Sequence, residues 1–140
     1  MDLGNPSDDE IREILTEPMT VAVVGCSPDP SRDSHKVARA LQTMGHKVIP
    51  VNPQARDILG LRSYGSLRHI EEPVVMVDVF RRSELVPAIV DDAIAIAARI
   101  VWLQLGVIHE EAAERARAAG LTVVMDRCPA VEYRRLVSAD

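Results

Sequence analysis

Apolar residues form five short, nearly continuous runs along the chain, separated by stretches in which they recur at helical spacing. Short unbroken apolar runs are typical of parallel strands that are covered on both faces. We predict strands at residues 20–24, 47–51, 73–80, 99–103 and 121–125. We predict helices at residues 34–44, 66–70, 84–98, 109–119 and 129–136, two of which end at a glycine.

A further helix is predicted ahead of the first strand, at residues 7–16. Ser7 and Glu10 have the spacing of a capping box, and Ile11, Ile14 and Leu15 form one apolar face. We therefore divide the chain into an N-terminal helical segment, residues 1–18, packed on a domain formed by residues 19–137.

Strands that alternate with helices through short loops predict a parallel sheet with helices on both faces. The predicted fold class is α/β, a single Rossmann-like domain with a doubly wound, five-stranded parallel sheet. Ligands of such sheets bind at the carboxyl ends of the strands. The residues that follow each strand are therefore the candidate functional residues.

Composition narrows the possible ligands. The chain has 140 residues, a formal net charge of -5 and only 3% aromatic residues. Generic nucleic-acid binding depends on neutralising phosphates and stacking on bases, and this composition supports neither. No apolar run is long enough to span a bilayer. We therefore expect neither a nucleic-acid nor a membrane partner.

The two cysteines, Cys26 and Cys128, are far apart in the sequence, and the acidic, polar N-terminus does not resemble an export signal. We expect free thiols in a reducing cytoplasm. The four histidines lack the spacing of metal ligands. We expect no metal site, and no set of catalytic residues is apparent.

The turn after the first strand has the features of a phosphate site. Gly25 ends the apolar run, and Asp33 or Ser34 is placed to cap the next helix. Backbone N–H groups in a tight turn and at a helix start attract anions, while Ser27 and Lys36 add a hydroxyl and a positive charge. We expect Gly25→Val to block the turn and abolish ligand binding while the fold survives.

The end of the second strand favours a ligand other than NAD. NAD enzymes usually place a carboxylate there to bind the adenosine ribose, but this chain has Asn52 and Pro53. Arg56, just beyond them, is a candidate for contact with a ribose phosphate.

The third and fourth strand ends carry further candidates. Phe80 and Arg81 suit an adenine or pantetheine group and a phosphate, respectively. Asp78, inside the same apolar run, is expected to accept hydrogen bonds from loop N–H groups. Gln104 and Gly106 offer an amide group and room for close approach of a ligand.

Five segments at predicted strand ends or starts resemble the small CoA-binding protein family, which is similar to the CoA-binding N-terminal domain of the succinyl-CoA synthetase alpha subunit. The segments are VAVVGCSPDPSRDSHKVA, VIPVNP, VDVFR, VWLQLGV and MDRCPAVEYRRL, and the resemblance covers residues 19–136. It implies a Rossmann-like domain that binds coenzyme A. The loop has fewer glycines than that of the synthetase, and the synthetase domain with the phosphorylated histidine has no counterpart in the sequence. Ligase chemistry is therefore not implied.

The resemblance also implies which residues contact the ligand. Residues 25–27 would lie against the CoA diphosphate, residues 52–53 and 79–81 beside the adenosine, and residues 104–106 along the pantetheine. The implied binding residues are Gly25, Ser27, Asn52, Pro53, Val79, Phe80, Arg81, Gln104 and Gly106. Charge and placement add Lys36 and Arg56.

We therefore expect a stand-alone module that binds coenzyme A or an acyl-CoA and has no catalysis of its own. Two alternatives remain open. One is an NAD(P)-dependent oxidoreductase-type nucleotide-binding domain on the same fold. The other is a regulatory subunit that needs a catalytic partner, although the sequence identifies no protein partner.

Overall fold

The computed structural model describes residues 2–137. Met1, which the predicted segment 1–18 includes, and residues 138–140 lie outside the described part. The elements in chain order are α1 (Asp8–Thr16), β1 (Thr20–Val24), α2 (Asp33–Thr43), β2 (Lys47–Val51), β3 (Asp57–Ile58), β4 (Leu61–Arg62), β5 (Met76–Val79), α3 (Val86–Ala95), β6 (Ile100–Leu103), α4 (Glu110–Ala118), β7 (Thr122–Val124) and α5 (Pro129–Leu136). Two short 3-10 turns lie at Leu67–His69 and Ser83–Leu85.

Five parallel strands form the central sheet, in the order β2-β1-β5-β6-β7. The chain winds outward in one direction from β1 to β2 and in the other from β5 to β7. This order confirms the predicted single α/β domain with a doubly wound, five-stranded sheet. The winding direction reverses between β1 and β5, and ligands of such sheets bind at that point, outside the carboxyl ends of the strands.

Alternate residues of each strand supply two apolar layers. In β1, Ala22 and Val24 face α3 and α4 and belong to the first layer. Val21 and Val23 face α1, α2 and α5 and belong to the second layer. Trp102, fully buried in the second layer, donates its indole N–H to the carbonyl oxygen of Arg127 at 2.8 Å. The rest of both layers is almost entirely aliphatic, because the chain has few aromatic residues.

Helix α1 lies against α5. Its N-cap, Ser7, accepts a hydrogen bond from the backbone N–H of Glu10 at 3.2 Å, which is one half of a capping box, while the Glu10 carboxylate accepts from the Ser7 hydroxyl at 3.3 Å. Ile11 and Leu15 are buried in the second layer, and the Arg12 side chain donates to the carbonyl oxygen of Leu136 at 3.0 Å. No helix within residues 2–137 has the length and apolar character needed to cross a membrane.

The helix predicted at residues 84–98 is shorter in the structure. A 3-10 turn precedes α3, and the helix ends at Ala95 because Ala97 adopts a left-handed conformation with φ of 60°. That conformation is usually adopted by glycine at a helix end, so the sequence contains no obvious stop signal there.

A small hairpin, β3–β4, was not predicted. Its two central residues, Leu59 and Gly60, have φ values of 57° and 69°, and tight two-residue hairpin turns need positive φ at both positions. Leucine rarely adopts such a value, so the turn is not recognisable from the sequence. Ile58, 2% exposed, anchors the hairpin on the second apolar layer.

Both outer strands of the sheet have part of their open edge occupied. Beside β7, the Asn5 side chain donates to the carbonyl oxygen of Met125 at 2.9 Å and accepts from its N–H at 2.7 Å. Beside β2, Tyr64 donates its N–H to the carbonyl oxygen of Pro50 and accepts from the N–H of Asn52, at 3.0 and 2.8 Å.

Candidate functional site

Three clefts adjoin at the carboxyl ends of the strands. The main cleft, of about 620 Å³, lies over β5 and β6 between α2 and α5. The phosphate cleft, of about 480 Å³, lies over the loop between β1 and α2. The hairpin cleft, of about 560 Å³, lies between the end of β2 and the β3–β4 hairpin. Asp33 and Phe80 line both the main and the phosphate cleft, so these two are continuous.

The predicted binding residues are divided among these clefts. Lys36, Phe80, Arg81 and Gln104 line the main cleft, Gly25 and Ser27 the phosphate cleft, and Asn52, Pro53 and Arg56 the hairpin cleft. Two other predicted residues line none of the three. The Val79 side chain is fully buried in the first apolar layer. Gly106 lies in an exposed turn and donates its N–H to Asp126 at 2.7 Å.

Gly25 lies at the end of β1, in close contact with the backbone that follows β5. Its φ is 84°, and its N–H donates to the carbonyl oxygen of Val51 at 2.9 Å. A Cβ atom at this position would lie 2.3 Å from the carbonyl oxygen of Phe80. Besides blocking the turn, Gly25→Val would therefore push against the backbone at the end of β5, so we expect a loss of stability beside the loss of binding.

Hydrogen bonds inside the protein occupy most donors of the turn. The N–H of Gly25 is bonded to Val51, and the N–H of Ser27 donates to the Ser34 hydroxyl at 2.9 Å. The Ser27 hydroxyl in turn accepts from the N–H of Asp29 at 3.0 Å. The turn is thus a rigid support, and it offers an anion fewer free N–H groups than its sequence suggests.

The start of α2 supplies the free donors instead. Its N-cap is Arg32, which makes no side-chain capping hydrogen bond, so neither predicted cap, Asp33 or Ser34, occupies that position. The first N–H that bonds back to the cap is that of Lys36, to the carbonyl oxygen of Arg32 at 3.1 Å. The N–H groups of the first helical turn therefore have no helical partner, and they lie beside the phosphate cleft.

Four cationic side chains surround the main cleft: Lys36, Arg81, Arg82 and Arg134. Within residues 2–137 none of them takes part in an ion pair, although most other basic residues of the chain do. Asp33 is the one carboxylate among the lining residues. A chain with a net charge of -5 thus carries a local positive field at this cleft.

Asn52 braces the phosphate loop. Its side-chain N–H donates to the carbonyl oxygen of Cys26 at 2.9 Å, and its side-chain oxygen accepts from the N–H of Gln54 at 2.9 Å. Both ends of the amide are engaged, so Asn52 connects the phosphate cleft to the hairpin cleft. The absence of a carboxylate after β2 thus has a structural reason, because the position is occupied by a group that links two loops.

Asp78 is fully buried on the same face of the sheet as Cys26 and Trp102. Neither of its carboxyl oxygens has a hydrogen-bond partner within residues 2–137, so the expectation that it accepts from loop N–H groups is wrong. Burial raises the pKa of Asp78 well above its usual value of 3.8, because burial favours the neutral form of the carboxyl group. Burial, together with the charge that Asp78 would carry, also raises the pKa of the Cys26 thiol to about 11.

Several lining residues of the main cleft were not among the predicted binding residues, namely the polar or reactive Arg82, Cys128 and Arg134 and the apolar Val37, Leu105, Val107, Ala130 and Val131. Arg82 and Cys128 each follow a predicted strand, so they belong to the strand-end residues expected to carry the function, although neither was named as a binding residue. Arg134 reaches the cleft only because α5 docks beside α2, and the sequence does not reveal that docking. The spacing of Val131 and Arg134, three residues apart on α5, is the one signal of a shared face.

Comparison with known proteins agrees with this geometry. Residues 19–134 match the family model described as a CoA binding domain. The chain belongs to this CoA-binding domain family. The match confirms the resemblance that five short segments had indicated.

Relatives of this family member include whole proteins and parts of larger enzymes. An uncharacterized protein of Bacillus subtilis, YneT, is 42% identical over 131 residues, which cover 94% of this chain and 97% of YneT. An ADP-forming acetate–CoA ligase of Archaeoglobus fulgidus is 34% identical over 80 residues, 57% of this chain but only 12% of the ligase.

Solved structures likewise include a protein matched along nearly its whole length and a larger enzyme matched along one part. A hypothetical protein from Pyrococcus horikoshii has a TM-score of 0.90 and 39% identity, with 94% of this chain and 93% of that one covered. An acetyl-coenzyme A synthetase of Ca. Korarchaeum cryptofilum has a TM-score of 0.71 and 26% identity, with 81% of this chain and 27% of the synthetase covered. The fold thus occurs both alone and as one part of a larger enzyme.

Proposed function

We propose that this chain binds coenzyme A, or an acyl-CoA, as a stand-alone module without catalysis of its own. The observation that carries the proposal is the set of four cations around a cleft that adjoins the point where the sheet reverses direction, none of which takes part in an ion pair within residues 2–137. Unpaired cations beside an uncapped helix start favour a ligand with several phosphates. Coenzyme A carries a diphosphate and a ribose phosphate.

The three clefts suit the three parts of this ligand. The phosphate cleft, with the start of α2 and the Ser27 hydroxyl, suits the diphosphate. The hairpin cleft contains Arg56 and Arg62, which suit a ribose phosphate. The main cleft is continuous with the phosphate cleft, so its cations suit contact with the diphosphate, while its apolar lining residues and the Gln104 amide suit the pantetheine arm.

The relatives support a module that acts without ligase machinery. YneT is matched along 97% of its length, whereas the acetate–CoA ligase is matched along 12% of its own. We therefore propose that recognition of coenzyme A is retained here without acyl transfer.

Titration calorimetry with coenzyme A, acetyl-CoA, dephospho-CoA, NAD and ATP tests the proposal. We expect coenzyme A and acetyl-CoA to bind, dephospho-CoA to bind more weakly because it lacks the ribose phosphate, and affinity to fall with added salt. Binding of NAD with no heat from any CoA species would overturn the proposal in favour of the oxidoreductase-type alternative.

Lys36→Gln is expected to weaken coenzyme A binding about fivefold, since an exposed charge contact contributes about 1 kcal/mol. Arg39→Gln is the matched control, because Arg39 is an exposed cation on the same helix that lines none of the three clefts. Calorimetry on both variants measures the difference. Equal affinities for the two variants would show that the ligand does not reach the α2 side of the cleft.

Asp33→Asn is expected to strengthen coenzyme A binding about two- to threefold, because it removes the one carboxylate that lines the main and phosphate clefts. The same change costs α2 a favourable charge at its positive end, so thermal stability should fall slightly. Tighter binding together with lower stability identifies a carboxylate that favours the helix at the expense of the ligand. Weaker binding would indicate instead that Asp33 accepts a hydrogen bond from the ligand.

A further inference from the structure

His35 lies in the first turn of α2, directly after the loop that lines the phosphate cleft. Its side chain is 6% exposed and lines none of the three clefts, and its Nδ1 atom is 2.9 Å from the carbonyl oxygen of Ser27. A carbonyl oxygen can only accept a hydrogen bond, so Nδ1 is the donor. The neutral ring is therefore the tautomer that carries its hydrogen on Nδ1.

Two consecutive peptide units of the loop are held by side chains from outside it. The peptide unit ahead of Ser27 is bonded at both ends, because its carbonyl oxygen accepts from the Asn52 side chain and its N–H donates to the Ser34 hydroxyl, both at 2.9 Å. The next peptide unit joins Ser27 to Pro28, which has no N–H. Its carbonyl oxygen is thus the one polar atom by which it can be held, and His35 is the partner of that oxygen within residues 2–137.

The Ser27 hydroxyl is the group that these bonds orient. Ser27 lines the phosphate cleft, and its Oγ atom accepts a hydrogen bond from the N–H of Asp29 at 3.0 Å. Its own O–H hydrogen has no partner within residues 2–137, so it is free to donate to a phosphate oxygen. The direction of this donor depends on the Ser27 backbone, which is fixed on one side by Ser34 and on the other by His35.

We propose that His35 is a positioning residue for the diphosphate of coenzyme A, an inference that rests on the proposed coenzyme A binding. His35 acts through Ser27: it holds the Ser27 carbonyl oxygen against α2, so that the Ser27 hydroxyl faces the phosphate cleft beside the free N–H groups at the start of the helix. A loop that is fixed before the ligand arrives loses little conformational freedom on binding. Without this bond the hydroxyl no longer has a single direction.

Titration calorimetry with coenzyme A on two substitutions of His35 tests the inference. His35→Leu keeps an apolar side chain in the buried space but has no donor, and we expect it to weaken binding about tenfold, as for the loss of one hydrogen bond to a charged group. His35→Asn has a side-chain N–H close to the position of Nδ1, so its affinity should stay within about threefold of the wild type.

His46→Leu is the matched control. His46 is also buried, and its Nε2 atom is 2.9 Å from a backbone carbonyl oxygen, that of Leu15, but it lines none of the three clefts. His46→Leu should therefore lower stability against urea and leave the affinity for coenzyme A unchanged. This comparison separates the positioning of the loop from the general cost of removing a buried histidine.

A double-mutant cycle with Ser27→Ala shows whether His35 acts through Ser27. Ser27→Ala alone should weaken coenzyme A binding about tenfold. In that background, His35→Leu should weaken binding by less than about twofold more, because the hydroxyl that His35 orients is already absent.

Nitrogen NMR of the unliganded protein checks the geometry without the ligand. In alkaline solution, where imidazole is neutral, the spectrum should assign the ring hydrogen of His35 to Nδ1. A hydrogen on Nε2 alone would overturn the inference, because Nδ1 could then not donate to Ser27.

The outcomes separate the two proposals. If coenzyme A binds to the wild type and equally well to His35→Leu, the positioning role is overturned and the proposed function stands. Additive losses for His35→Leu and Ser27→Ala, or a loss for His35→Asn as large as that for His35→Leu, would overturn it in the same way. If no CoA species binds to the wild type, the proposed function fails and the positioning role fails with it.

Discussion

Gly25→Ala is expected to lower the free energy of unfolding by about 2–5 kcal/mol, the sum of left-handed strain and overpacking. The φ of 84° is unfavourable for alanine, and the new Cβ would lie 2.3 Å from the carbonyl oxygen of Phe80. Because the contacted atom of Phe80 is a backbone oxygen at the end of β5, a side-chain movement cannot relieve the contact. Urea unfolding of the variant measures the loss, and calorimetry should show weaker coenzyme A binding as Phe80 and Arg81 move.

Gly45→Ala is the matched control for this experiment. Gly45 also has a positive φ, of 103°, but a Cβ there would meet no atom within 4 Å. Gly45→Ala should therefore lower the free energy of unfolding through backbone strain alone, by about 1–2 kcal/mol. The difference between the two variants isolates the contact between β1 and β5. Equal destabilisation of the two variants would show that the backbone after β5 accommodates a Cβ at position 25 and that only the dihedral angle matters.

The stability of the wild-type protein should fall as pH rises above about 4, and Asp78→Asn should remove this dependence. The pKa of Asp78 is raised in the folded state, so the folded chain retains a proton that the unfolded chain releases above the ordinary pKa of 3.8. Between the unfolded and the folded pKa, the unfolding free energy therefore decreases by about 1.4 kcal/mol per pH unit. Below the unfolded pKa both states are protonated, and the effect vanishes.

Urea unfolding at a series of pH values measures this slope. Asparagine has the shape of the neutral carboxyl group but does not titrate, so the variant should be more stable than the wild type at neutral pH and similar in acid. Asp57→Asn, the same substitution at an exposed side chain, controls for the loss of one negative charge. Parallel pH curves for Asp78→Asn and the wild type would show that Asp78 has found a partner that stabilises its charge.

The sheet was predictable because its strands consist of apolar runs that alternate with helical patterns. Val21 to Val24 need no tertiary information to be recognised as a covered strand. The β3–β4 hairpin and the end of α3 depend instead on Leu59 and Ala97, which hold positive φ values without glycine. Such conformations are imposed by the packing around them, so no local signal precedes them.

The location of the candidate site was predictable, but the direction of its side chains was not. Topology brings the strand ends together, which correctly places Phe80, Arg81 and Gln104 at one cleft. Along a strand, however, neighbouring side chains point to opposite faces, so Val79 enters the core. Arg134 depends on how α5 docks beside α2. Asn52 lines its cleft as predicted, but its amide already holds a loop together.

The contacts of Asn5 and Tyr64 at the outer strands have a consequence for how copies of this chain can associate. An unoccupied strand edge is a template on which another chain can add a strand, which leads to aggregation or fibres. Here the Asn5 side-chain amide bonds to the N–H and the carbonyl oxygen of Met125 beside β7. Beside β2, the backbone of Tyr64 bonds to Pro50 and Asn52. Continuation of the sheet from one copy into the next would have to break these bonds first. These contacts therefore disfavour edge-to-edge pairing of copies at the ends of β2 and β7.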